Sequence, residues 1–276
     1  MGFSDIIPGV SGGTIALITG IYPRLIKAIN NFFSLIILFI DFLKGLISFS
    51  SFKRSFKNQD WSFLGFLLAG ILLAIISGSW LILFLLNNFL AYTLSFFIGL
   101  ILFSAIIIFR KVLVHSLTSS FLGFLGLLFG LSLAFAIPVS FPHSWFFLLL
   151  AGFLAVSALF LPGISGSFIL LIIGLYSFMI EALHSLIVSR ILPFLIGAIL
   201  GVFFISRLVA FLLRRFENST LTFLTGLVLG ALAIPLKKLI PVLTPNNTLW
   251  SILFFILGLG LVFLISQLSV DSQDSL

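Results

Sequence analysis

The residues whose types and spacing could do chemistry in this chain lie in one short pattern that occurs twice. Ile7-Pro8-Gly9-Val10-Ser11-Gly12-Gly13-Thr14 is matched by Leu161-Pro162-Gly163-Ile164-Ser165-Gly166-Ser167-Phe168. The second copy lies 154 positions after the first, from Pro8 to Pro162 and from Gly12 to Gly166, and the register holds on to Gly20-Ile21-Tyr22 and Gly174-Leu175-Tyr176. Pro8-Gly9 and Pro162-Gly163 break the chain and form the turn of a hairpin. Ser11 or Thr14 can cap the short apolar helix that follows. A helix start presents unpaired N–H groups and a partial positive charge, so it accepts an anion. Gly12, Gly13 and Gly166 let a ligand approach the backbone, and Ser11, Thr14, Ser165 and Ser167 add hydroxyl donors. Phosphate suits such a site; a cation held by the freed carbonyls is an equally open chemistry. A lone copy would read as a kink with tight small-residue packing. Two copies at matched places read as a functional centre.

Among the isolated charges, Arg207 is the most informative. It precedes Arg214 by seven residues, so it lies about 10 Å deeper along a helix. An arginine inside a membrane faces a cavity or a partner, which predicts a phosphate ligand with bidentate geometry; the plain alternative is snorkelling to the headgroups. Asp5 has three readings: a partner for Arg207, a site for a coupling proton or sodium ion, or an interfacial residue. Arg24, two residues after Tyr22, can reach the mouth of the site. Glu181 and Arg190 flank His184 and read first as a solvated face, second as guidance for a headgroup.

The elements that must position these groups follow from composition. Of 276 residues, 61% are hydrophobic and 8% charged, and the mean hydropathy is +1.38. Apolar runs of roughly 18 to 25 residues recur, so the fold class is an all-α polytopic membrane protein; a β-barrel would show short alternating segments. Cysteine is absent, which excludes disulfides, thiolate catalysis and cysteine-bound metal. His115, His143 and His184 have no metal-ligand spacing, and no metal or organic cofactor is expected. The net charge of +7 fits anionic lipid headgroups and a topology signal, not a nucleic-acid partner. No secretory signal is present, because Asp5, Pro8 and Gly9 stand where its basic and apolar regions would be.

Taken in order, residues 1–144 form a first repeat: a re-entrant segment at 5–22, an interfacial or re-entrant stretch at 24–60, and spans near 61–86, 91–109 and 121–137. Residues 145–268 form a second: a re-entrant hairpin at 145–176, an amphipathic stretch, and spans near 192–213, 221–236 and 249–268, then a polar tail. The later spans match at an offset of 127, as Phe97-Ile98-Gly99-Leu100 does with Leu224-Thr225-Gly226-Leu227. The first half has no counterpart of the helix before Pro162, so the first hairpin is half built or the start lies further upstream. If each hairpin returns to its own side, three spans separate the hairpins and the repeats are inverted. Ten basic residues, among them Lys53, Arg54, Arg110, Arg214 and Arg215, then share one face, against Arg190, Lys237 and Lys238 on the other. That asymmetry predicts a cytoplasmic face and a cytoplasmic C-terminus. In such inverted repeats, broken helices meet at the repeat interface to form the substrate site.

The paired motifs, with Asp5-Ile6 before the first and Gly-x-Tyr after each, resemble the PopT family of prokaryotic membrane proteins, and the resemblance covers nearly the whole chain. It implies a transporter, not an enzyme, that moves polyprenyl phosphate, chiefly undecaprenyl phosphate, across the cytoplasmic membrane and so recycles the carrier lipid of cell-envelope synthesis. The partners implied are membrane lipids and that substrate, with a homo-oligomer left open. Two departures are visible: the helix that usually precedes the first motif is absent, and Pro23 and Ser177 follow the two tyrosines where the family often has an acidic residue. Two other functions compete. A small-anion transporter or channel would use the same helix starts. A polyprenyl-pyrophosphate phosphatase would need acidic and basic catalytic groups beside the turns, and neither motif contains a Glu, His or Arg.

Overall fold

The structure, a computed structural model, describes residues 1–2, 12–114 and 116–271. Asp5, Pro8, Gly9 and Ser11 therefore lie outside the described residues. Within them the chain is all helical. Helix α1 (Gly12–Ile18) is followed by α2 (Tyr22–Leu43), α3 (Phe49–Lys57), α4 (Trp61–Asn88), α5 (Leu90–Arg110) and α6 (Leu117–Ala134). The second half contributes α7 (Trp145–Leu159), α8 (Gly166–Ile172), α9 (Tyr176–His184), α10 (Val188–Arg215), α11 (Glu217–Ala231), α12 (Ala233–Leu239) and α13 (Pro245–Asp271).

Helix boundaries follow local chemistry. Pro23 fills the first turn of α2, where its missing N–H costs nothing. The Asp60 and Ser116 side chains cap α4 and α6 by accepting from the Phe63 and Ser119 amides, at 3.2 and 3.1 Å. Gly20 and Gly174 stop α1 and α8 at φ of 72° and 73°, a left-handed conformation that side chains resist. The duplication is legible in these boundaries: α1 and α8 start and stop 154 residues apart, and α4 and α10 start and stop 127 residues apart.

Among the described residues, six helices are long and apolar enough to cross a membrane, including Leu90–Arg110 and Glu217–Val242. Those two are 61% and 72% buried, against 17% to 28% for the other four, so the second long helix of each repeat forms the centre. Around it the packing is reciprocal. Helix α5 lies on α13, where a Cβ on Gly99 would strike the Phe255 carbonyl and one on Gly258 the Phe96 carbonyl. Helix α11 lies on α6 in the matching way, through Gly226 against Gly123 and Gly126 against Phe223. Small residues here let backbones touch, the usual means of helix association where lipid competes equally for apolar side chains.

The stretch 24–60 resolves into α2 and α3, folded as a helical hairpin. Phe42 lies against both Phe49 and Phe52, with centroids 5.7 and 6.2 Å apart. The chain then comes back to its starting level, because Gln59 donates to the Ala28 carbonyl at 2.8 Å and Asp60 pairs with Arg24 at 2.7 Å. Helix α2 is by length and composition able to span, yet its hairpin departs from and returns to one level. Helix α4 departs from the repeat symmetry. Its counterpart α10 packs tightly on α7 through Gly197, whereas a Cβ on Gly70 would meet nothing within 4 Å.

Candidate functional site

The second Pro-Gly turn joins two antiparallel helices. Helix α7 ends at Leu159, residues 160–165 turn, and α8 runs back along it so closely that a Cβ on Gly166 would meet the Ala155 carbonyl. Gly163 makes the reversal at φ 85°. A side chain there would also press on the Cα of Val228, 3.0 Å away, and on Ala231, so the turn sits against the last turn of central helix α11. The short α8 and α9 then bend by 115° about Gly174.

The two motifs meet. Thr14 is buried, and its Oγ1 accepts the Gly163 amide at 2.9 Å. Tyr22 is completely buried, and its hydroxyl donates to the Phe160 carbonyl at 2.7 Å. Residues of the first half-helix thus satisfy backbone groups of the second turn, groups that a break inside lipid would otherwise strand. Tyr176, the repeat counterpart of Tyr22, is 37% exposed. The two ends of the pair are therefore in different environments.

Gly12 and Gly13 open onto a largely apolar groove of about 670 Å³ that passes Tyr22, Phe33, Trp61 and Phe160. Its lining does not include Ser165, Gly166 or Ser167. Ser165 and Ser167 share a hydrogen bond at 2.8 Å, and Ser165 is buried at the start of α8 without capping it. Thr14 is thus brought to the second turn, with Ser165 buried and Ser167 partly exposed beside it.

Arg207 is elsewhere. It lines a separate polar cleft of about 500 Å³ between α2 and α10, with Asn30, Asn31, Ser34, Arg214 and Arg215. Its guanidinium lies 4.2 Å from the Phe203 ring centroid, and Asn30 donates to the Ser206 carbonyl at 3.0 Å. The Asn30-Asn31 pair, inside an otherwise apolar run, was the signal in the sequence for this cleft. Arg24 is engaged by Asp60 at 2.7 Å and lies over Phe63. The hydrogen bond from Arg24 holds the Asp60 carboxyl below its ordinary value against an opposing desolvation, with further help from the Phe63 amide and the Arg24 charge. Glu181 and Arg190 pair at 3.6 Å, and Arg190 stacks on Phe178. They stand about 25 Å from Arg207 along α10, at its other end. No group of three or more potential metal ligands occurs among the described residues.

Fold and site together define a polytopic α-helical membrane protein in which Thr14 and Tyr22 bond the backbone of the turn at 160–165. The chain belongs to the VCA0040-like family, undecaprenyl phosphate translocase-like, whose model matches residues 1–251. It is 37% identical over 232 residues to a polyprenyl-phosphate transporter of Vibrio cholerae, covering 84% of this chain and 73% of that one. It is 29% identical over 294 residues to a polyprenyl-phosphate transporter of Staphylococcus aureus, covering 99% and 95%. No solved structure matches the chain.

Proposed function

We propose that this chain transports polyprenyl phosphate, with undecaprenyl phosphate as the substrate, across the cytoplasmic membrane and is not an enzyme. The observation that carries this reading is the junction of the two motifs at the mouth of an apolar groove. Thr14 holds the Gly163 turn there, and Gly12 and Gly13 line the groove. A phosphate headgroup would sit at these turns, with Ser11, Ser165, Gly166 and Ser167 as its remaining donors, and the prenyl chain would lie in the groove or in lipid. The repeats would be inverted, and one would rock against the other to alternate access. The unlike states of Tyr22 and Tyr176 support that reading, since equivalent residues at two alternately open ends should differ. The basic face carrying Arg214 and Arg215 would be cytoplasmic.

The test is thermal stability of the detergent-purified protein titrated with undecaprenyl phosphate, undecaprenol and inorganic phosphate. A ligand that binds only the folded state raises the melting temperature in a saturable way. A saturable rise with undecaprenyl phosphate that neither control reproduces is the expected result. An equal rise with inorganic phosphate would replace the lipid substrate by a small anion, and phosphate release from a pyrophosphate lipid would make the protein an enzyme.

A further inference from the structure

The α2–α10 cleft has more structure than a topology signal requires. Its three arginines lie on the last two and a half turns of α10, and Arg207 and Arg214 are separated by about 10 Å along the helix axis. Among the described residues no ion pair neutralises them: the two that form, Arg24–Asp60 and Arg190–Glu181, involve other arginines. The acidic residue nearest in sequence, Glu217, forms neither of them. Opposite the arginines, α2 presents Asn31 and Ser34, and Asn30 locks α2 to α10 by donating to the Ser206 carbonyl and accepting the Ser206 hydroxyl at 3.2 Å. Arg207 is held by stacking on Phe203, which in turn meets Phe33 edge-on at 5.3 Å, and Phe33 lines the apolar groove. Basic cleft and apolar groove are therefore linked through the Phe203–Phe33 contact.

We infer that this cleft is a second phosphate site, a loading station that captures the headgroup of a lipid phosphate monoester before it moves to the paired turns. A monoester carries roughly −1.5 to −2 charges near neutral pH and three terminal oxygens, so it satisfies several arginines at once through charge-assisted hydrogen bonds. A phospholipid diester has a single charge and two free oxygens, and is the weaker fit. All three arginines are exposed, and Arg207 lies about 10 Å along α10 from Arg214, so a headgroup entering the cleft meets charge at two successive levels of the helix. With the phosphate at Arg207, an attached hydrocarbon chain starts beside Phe33 at the groove. The choice of a polyprenyl chain rests on the transport reading above; the preference for a phosphate monoester does not.

Two readouts on the full chain separate the inference from that reading. The first is equilibrium binding in nanodiscs, with undecaprenyl phosphate, phosphatidylglycerol and inorganic phosphate as probes. The second is initial translocation rate in proteoliposomes against the mole fraction of undecaprenyl phosphate. Arg207→Gln and the double variant Arg214→Gln/Arg215→Gln should each weaken undecaprenyl phosphate binding about tenfold or more. Their half-saturating lipid fraction should rise in step, with maximal rate within about twofold of the original. Arg207→Lys, which keeps the charge and loses the fork, should fall between. Lys53→Gln/Lys57→Gln removes equal charge outside the cleft and should leave binding unchanged, which also checks that the effect is not bulk electrostatics. Unchanged binding in the arginine variants, or an equal loss in the lysine control, overturns the site. Equal binding of phosphatidylglycerol overturns the monoester preference, and equal binding of inorganic phosphate makes it a free-phosphate site. Binding lost as expected in a protein that moves no lipid leaves the site standing and refutes the transport reading.

Discussion

Two side chains decide whether the repeats stay joined at the site. Tyr22 and Thr14 are buried, and each satisfies a backbone group of the other repeat's turn. Tyr22→Phe leaves the Phe160 carbonyl without that donor and should lower stability by about 1–3 kcal/mol, read as a lower melting temperature with helical content retained. Thr14→Val keeps shape and removes the acceptor for Gly163, so maximal transport rate should fall while the half-saturating lipid fraction holds. An unchanged rate would remove Thr14 from the site. Asp60 provides a pH test. Its carboxyl is held low by Arg24, so the folded state favours the ionised form. The link therefore stabilises fully above the ordinary carboxylate range and is lost as pH falls through the lowered value. Asp60→Asn should flatten that acid-side decline in melting temperature, and an unaltered slope would show that other carboxylates carry it.

At the scale of elements, matched glycines in α4 and α10 have opposite surroundings. Gly197 touches the Leu149 carbonyl of α7, and Gly70 has nothing within 4 Å. Gly197→Ala should push α10 from α7 and cost about 1–3 kcal/mol through overpacking. Gly70→Ala should be neutral or gain up to about 1 kcal/mol from helix propensity. Melting temperatures of the two variants compare them directly; equal losses would mean that the Gly70 face is covered in the folded protein. The same contrast explains what was legible in the helices. The apolar stretches 61–86, 91–109 and 192–213 are readable because length and apolarity are local properties, and each lies within one helix, α4, α5 and α10. The span at 121–137 ends earlier, at Ala134. The stretch 24–60 was read only as interfacial or re-entrant, because its return to Arg24 depends on pairing across 36 residues.

On the scale of the whole molecule, the two halves interlock rather than sit side by side. Helix α5 of the first packs on α13 of the second, and α11 of the second on α6 of the first. Each repeat alone would leave its central helix open on one face, so the pair must fold together. A transporter built this way can move only by shifting contacts between halves, and the cross-repeat bonds of Tyr22 and Thr14 lie where such a shift would be felt. The undecaprenyl phosphate titration belongs at this scale, because a headgroup bound where the halves meet stabilises both at once.

By itself the sequence determined an α-helical membrane protein, the twofold Pro-Gly-x-Ser-Gly pattern and the offsets of 154 and 127. Each of these is a property of neighbouring residues: hydrophobic length, turn chemistry, charge. Only the tertiary structure decided that Thr14 meets Gly163 and that Tyr22 meets Phe160. It alone placed Arg207 in a cleft with Asn30 and Arg214 rather than among the turns. Those outcomes depend on which helix faces which, and on the rotation that brings Gly99 or Gly226 against a partner's backbone. Close packing sets that rotation across more than a hundred residues of intervening chain, beyond the reach of any local pattern.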